Sequence, residues 1–114
     1  MNIAEKCPKV TSAHELSALL GTGDRVIALV YATWCPYCIS FLSIFEQQAA
    51  GKPDRFLLVE DDREIVADQY GIQVIPTALY FENGLVVKRL DGQLGVGLNR
   101  KQLADFIQAC GLDG

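Results

Sequence analysis

Apolar residues recur along the chain in two rhythms. Short unbroken runs, Val26-Ile27-Ala28-Leu29-Val30-Tyr31 and Phe56-Leu57-Leu58-Val59, have the length and β-branched content of strands buried on both faces. Between them the spacing turns helical. From Pro36 to about Ala50, Cys38, Leu42, Phe45 and Ala49 predict one inward stripe, and Pro36 fits the first turn, where its missing N–H costs nothing. Ser12-Ala13-His14-Glu15 has the form of a capping box, opening a short helix through Leu16, Leu19 and Leu20 that Gly21-Thr22-Gly23-Asp24 ends. Asp61-Asp62-Arg63-Glu64 predicts the cap of a further helix that stops at Tyr70-Gly71. Two strand-like runs, Thr77-Ala78-Leu79-Tyr80-Phe81 and Leu85-Val86-Val87-Lys88-Arg89-Leu90, flank Glu82-Asn83-Gly84, and Asn-Gly is the strongest short hairpin signal. Asn99-Arg100-Lys101-Gln102 opens a last helix with Leu103, Phe106, Ile107 and Cys110 on one face. This order of elements predicts an α/β domain with a mixed sheet covered on both sides.

Candidate chemistry sits where the first strand gives way to its helix, at Trp34-Cys35-Pro36-Tyr37-Cys38. Two cysteines separated by two residues can close a small disulfide ring and reopen it. A helix starting at Cys35 turns backbone N–H groups and a partial positive charge toward its sulfur, which favours thiolate, the attacking form in disulfide exchange. The pattern therefore predicts dithiol–disulfide redox chemistry at Cys35 and Cys38, with no cofactor beyond the two sulfurs.

Bulk composition narrows the alternatives. With 114 residues, half of them hydrophobic and 21% charged, the chain is expected to form a single domain over 1–114, with residues 1–8 a loose N-terminal segment. A net charge of −4 and scattered Lys and Arg speak against nucleic-acid binding. No apolar run approaches the roughly 20 residues that span a bilayer, so no membrane partner is expected. The start, Met1-Asn2-Ile3-Ala4-Glu5-Lys6-Cys7-Pro8, lacks an apolar stretch of signal-peptide type, and a reducing cytoplasm is the expected compartment. Four cysteines there point to redox or metal chemistry rather than a disulfide scaffold. A zinc site is the weaker choice, because there is no second CxxC and His14 is the one histidine; no metal is expected. Cys110 reads as a small buried hydrophobe and Cys7 as a bystander thiol, with a Cys7–Cys110 bridge given little weight.

The chain resembles the thioredoxin family over nearly its whole length. The matching residues are Ala32-Thr33-Trp34-Cys35-Pro36-Tyr37-Cys38, Tyr70-Gly71-Ile72-Gln73-Val74-Ile75-Pro76-Thr77, Phe81-Glu82-Asn83-Gly84 and Gly92. The resemblance implies a thioredoxin fold, a central mixed sheet flanked by four helices. It also implies an exposed nucleophile at Cys35, a resolving thiol at Cys38 and a cis Ile75–Pro76 bond against the disulfide. Trp34, Pro36, Tyr37, Ile75 and Pro76 would then form the substrate-binding surface, with the Ile75 backbone bonding an extended segment. Partners implied are protein disulfides and an electron donor, either a reductase or a low-molecular-weight thiol, acting on a monomer.

The chain also departs from the family pattern. Pro36-Tyr37 replaces the usual Gly-Pro and gives the CPYC sequence familiar from glutaredoxins. Counting from the motifs puts Leu29 and Leu57 where thioredoxins carry a buried Asp and Lys below the resolving cysteine, leaving Glu60 or water to take its proton. Ile39 and Ser43 replace a basic residue and a proline in the following helix. Gln93-Leu94-Gly95-Val96-Gly97 lengthens the loop before the last helix by about four residues. Tyr37 in the ring, with Leu29 and Leu57 beneath it, predicts a dithiol less reducing than thioredoxin. Two other functions stay open. One is a glutathione-dependent reductase of glutaredoxin type, against which Thr33, Ile39 and Ser40 supply no basic group; an iron–sulfur cluster shared across a dimer belongs with it. The other is a non-catalytic binding module, against which stand two intact cysteines.

Overall fold

The computed structural model describes residues 7–21, 25–52 and 54–112. One sheet of five strands, β1 (Lys9–Val10), β2 (Arg25–Tyr31), β3 (Phe56–Glu60), β4 (Thr77–Glu82) and β5 (Leu85–Leu90), has the spatial order β1-β3-β2-β4-β5. β3 runs parallel to β1 and β2, whereas β4 is antiparallel to both β2 and β5, so the sheet is mixed. Four helices cover it: α1 (Ala13–Leu20), α2 (Pro36–Ala49), α3 (Ile65–Gln69) and α4 (Arg100–Ala109).

The unbroken apolar run of β2 makes sense in this order, because β2 lies at the centre with helices on both sides. Ile27 and Leu29 join Phe41, Phe45, Leu103 and Phe106 in the core under α2 and α4. Ala28 and Val30 point the other way, into a second core with Leu16 and Leu20 of α1 and Val66 of α3. The stripe of α2 differs from the predicted one by a residue. Cys38, Phe41, Phe45 and Ala49 are buried, while Leu42 is only partly so, because the larger Phe41 ring takes the centre of the interface. β1 is only two residues long, too few to show a period in the sequence.

Local signals are realised to different degrees. Asn83 and Gly84 both take positive φ, 54° and 83°, as a type I′ hairpin turn requires. Asn99 and Gln102 cap α4 reciprocally, side chain to backbone. At α1 only half of the expected box forms: Ser12 Oγ accepts from the Glu15 N–H, but the Glu15 carboxylate accepts from the Thr11 N–H at 2.7 Å. At α3 the cap is Asp61, whose buried carboxylate accepts from the Val66 and Ala67 N–H groups at 3.0 and 2.8 Å. Gly71 then stops the helix at φ 64°, with the Ile72 N–H closing on the Ala67 carbonyl. The expected turn at Thr22-Gly23-Asp24 lies outside the described residues, as does the expected loose segment up to residue 6. Cys7 is half-buried against the core, and the Pro8 carbonyl accepts from the Leu58 N–H.

Candidate active site

β2 ends in the core, and three residues later the chain enters α2 with Cys35 as its N-cap. An N-cap needs a side-chain acceptor for the free N–H groups of the first turn, and here sulfur serves: Cys35 Sγ accepts from the Cys38 N–H at 3.2 Å. The same sulfur lies 3.8 Å from the Ile75 carbonyl, so the loop before β4 closes over the dithiol. This geometry corrects the expected exposure. Cys35 is only 6% exposed, drawn in by those two contacts, and Cys38, one turn on, is fully buried. All four cysteines are thiols in this structure.

Burial and its hydrogen bond to Cys35 push the Cys38 thiol up from an ordinary 9.0 to about 12, and a backbone hydrogen bond at Ala32 opposes the shift. The groups around it are apolar. Leu29 sits in the same core as Cys38, but Leu57 does not: it faces the α1 side, and the β3 residue in register with Leu29 is Leu58. Counting along the chain finds the strand but not the face, which alternates with every residue. Glu60 is spoken for by Lys9 at 3.1 Å and by the Tyr31 hydroxyl at 3.4 Å. A raised thiol pKa stabilises the fold while the unfolded chain is also protonated and is lost once the unfolded chain ionises. Stability of the reduced protein is therefore expected to fall as pH rises from about 9 toward about 12 at Cys38, joined by buried Cys110, which desolvation raises to about 11. Denaturant midpoints measured between pH 8 and pH 11 check this, and a flat profile would count against it.

The rim is built by residues distant in sequence. Thr33 donates to Asp62 through both its N–H and its hydroxyl, each at 2.7 Å, and the Trp34 indole N–H donates to the Asp62 carbonyl at 3.0 Å. The Thr33 bonds hold the Asp62 carboxyl below its usual range. Trp34, thus fixed, stays 55% exposed beside the dithiol. Across the mouth, the Ile75–Pro76 peptide is cis. Thr77 donates to the Val74 carbonyl and accepts from the Gly92 N–H at 3.2 Å, holding Gly92 against Pro76. Tyr37 projects outward, and its hydroxyl donates to the Gly95 carbonyl at 2.9 Å. Thus Trp34, Cys35, Tyr37, Cys38 and Ile75 gather at one end of the sheet. The sequence shows Asp62 only as part of the α3 cap and Thr77 only as part of the family pattern; their bonds to Thr33, Trp34 and Gly92, and the Tyr37–Gly95 bond, have no local signal.

The remaining cysteines stand apart from this cluster. Cys7 lies near Leu58 and Glu46, and burial pushes its thiol up to about 12. Cys110 caps α4 at the other side of the molecule, where its carbonyl accepts from Arg25 of β2 at 2.7 Å. Among the described residues no group of three or more His, Cys, Asp or Glu side chains is placed to hold a metal ion, and no helix is long and apolar enough to cross a membrane.

A reactive pair on the first turn of a helix, fed by the central strand of a mixed sheet, defines a thiol–disulfide oxidoreductase. The thioredoxin family model matches residues 8–109, and the chain belongs to that family. It is 35% identical over 88 residues to a thioredoxin of Mycoplasmoides gallisepticum, covering 75% of this chain and 85% of that one. It is 29% identical over 103 residues to a thioredoxin of Mycolicibacterium smegmatis, covering 86% and 92%. Its fold is similar to that of a solved thioredoxin from Nicotiana alata, with a TM-score of 0.75 at 21% identity and 92% of each chain covered.

Proposed function

We propose that the protein reduces or exchanges disulfides in protein substrates, with Cys35 as nucleophile and Cys38 as resolving thiol. The asymmetry of the pair carries this reading: Cys35 sulfur caps the helix at the mouth, while Cys38 is sealed beneath it. Cys35 thiolate attacks one sulfur of the substrate disulfide, and a mixed disulfide forms as the other substrate sulfur leaves as thiolate. Cys38 then gives up its proton and attacks Cys35 sulfur, closing the Cys35–Cys38 ring and releasing the second substrate thiolate. Substrate gains two electrons and the dithiol loses two, which a reductase or a low-molecular-weight thiol must return. Trp34, Pro36, Tyr37, Ile75 and Pro76 make the surface that the substrate segment meets, and the Ile75 backbone bonds it as an added strand. Both thiols come from one chain, which favours a monomer, and the cytoplasm is the compartment that keeps such a dithiol supplied with electrons. Asp62 beside Thr33 gives the mouth an acidic rim, which favours protein substrates over glutathione with its two carboxylates.

Equilibration in glutathione buffers, followed by alkylation and mass measurement, tests this. Cys35 and Cys38 are expected to oxidise together as a two-electron couple. With Pro36-Tyr37 between the cysteines and the apolar Leu29 in the core with Cys38, the midpoint is expected nearer the roughly −200 to −230 mV of glutaredoxins than the roughly −270 mV of thioredoxin. Failure of the two to pair would sink the function, and a midpoint at or below −270 mV would sink the poise.

A further inference from the structure

Two departures from the family pattern, the Pro36-Tyr37 dipeptide and the lengthened loop at residues 93–97, are one physical unit. Gln93 and Gly97 pair as an antiparallel bridge, with the Gly97 N–H donating to the Gln93 carbonyl at 2.8 Å and the Gln93 N–H to the Gly97 carbonyl at 3.2 Å. The loop is therefore closed on itself. Tyr37 holds it twice, through the hydroxyl bond to Gly95 and through its ring stem against Gly97, where an added Cβ would lie 3.1 Å from the Tyr37 Cβ. Gly95 and Gly97 also take φ of +75° and +78°, so the backbone favours glycine at both, and at Gly97 the Tyr37 side chain crowds a Cβ as well. Held in this way, the loop leaves Leu94 83% and Val96 60% exposed, next to a helix start that exposes Tyr37 and Ile39 as well. Large apolar side chains on a braced loop add nothing to either core. They gain only when something covers them.

What covers them follows from the tether. A substrate disulfide that reaches Cys35 brings its flanking residues across Tyr37, and the loop is bonded to Tyr37. We propose that Tyr37 and the Gln93–Gly97 loop form one specificity element beside the dithiol, which selects protein disulfides carrying apolar side chains next to the attacked cysteine. Leu94 and Val96 contact those flanking side chains, and Tyr37 is the positioning residue that fixes the loop. The inference rests on the disulfide-exchange reading above and names its substrate class.

The test uses the full chain and two peptides, each with one disulfide, flanked by Leu and Phe in the first and by Ser and Gln in the second. L94S/V96S is expected to raise KM for the apolar-flanked peptide roughly tenfold, the scale of a small loss in an apolar contact, while the polar-flanked peptide shifts less than twofold. Y37F keeps the ring on Gly97 and loses the bond to Gly95, so it should move the same KM in the same direction by a smaller factor. Equal changes for both peptides, or none for either, would overturn the specificity element while leaving disulfide exchange standing. If the unsubstituted protein reduces neither peptide, disulfide exchange itself fails and the specificity element falls with it.

Discussion

Cys35→Ser is expected to lower kcat/KM for reduction of insulin disulfides by roughly a thousandfold or more, the scale seen when a sole nucleophile is removed. No other thiol can stand in. Cys38 is fully buried with its thiol pushed up to about 12, so it supplies almost no thiolate near neutrality. Cys7 is raised to about 12 and Cys110 to about 11, and neither lies at the mouth. The fold should survive, because serine is a good N-cap and its oxygen can accept the Cys38 N–H. Insulin turbidity with dithiothreitol as donor reads the loss, and circular dichroism confirms that the fold is retained. Residual activity above a few per cent would assign the nucleophile elsewhere.

Gly92→Ala has the second largest expected effect, by a steric route. A Cβ at this position would run into the Pro76 carbonyl oxygen, and backbone cannot swing aside as a side chain can. Relief requires Pro76 or Gly92 to move, and either shift breaks the Gly92 N–H bond to Thr77 and displaces the Ile75 carbonyl from Cys35 Sγ. Misplacement by about 1 Å of the segment proposed to bind substrate is expected to cost about 100-fold in rate, and overpacking about 1–3 kcal/mol in stability. Steady-state kinetics and thermal melting of the same variant read both. Wild-type kinetics in Gly92→Ala would show that the Pro76 loop takes no part in turnover.

The sequence made the scaffold legible wherever structure is specified locally. Unbroken apolar runs marked β2 and β3 because these strands are buried on both faces, and Asn83-Gly84 marked the hairpin because both residues must take positive φ. The dithiol was legible because its chemistry needs a fixed spacing at a helix start, which Cys35 and Cys38 display. What escaped depends on contacts across the chain. Asp62 grips Thr33 and Trp34 from 29 and 28 residues away, and Tyr37 grips Gly95 from 58. Leu57 was placed beside Leu29 by counting, yet register puts it on the opposite face with Ala28 as its partner. Cys35 was expected in the open, as a nucleophile at a helix start would be. The Ile75 carbonyl and its own helix's N–H group draw it in, which no spacing rule reveals.

The assignment of Cys35 as nucleophile and Cys38 as resolving thiol meets its most direct test in Cys38→Ser. Without the resolving thiol, the mixed disulfide formed in the first step has no internal escape. Mixing this variant with a peptide disulfide at neutral pH, quenching in acid and mapping the adduct by mass spectrometry reads the site directly, with Cys7 and Cys110 as internal controls. The predicted result is one stable peptide adduct per chain, on Cys35. An adduct on Cys7 or Cys110, or no adduct at all, would contradict the assignment.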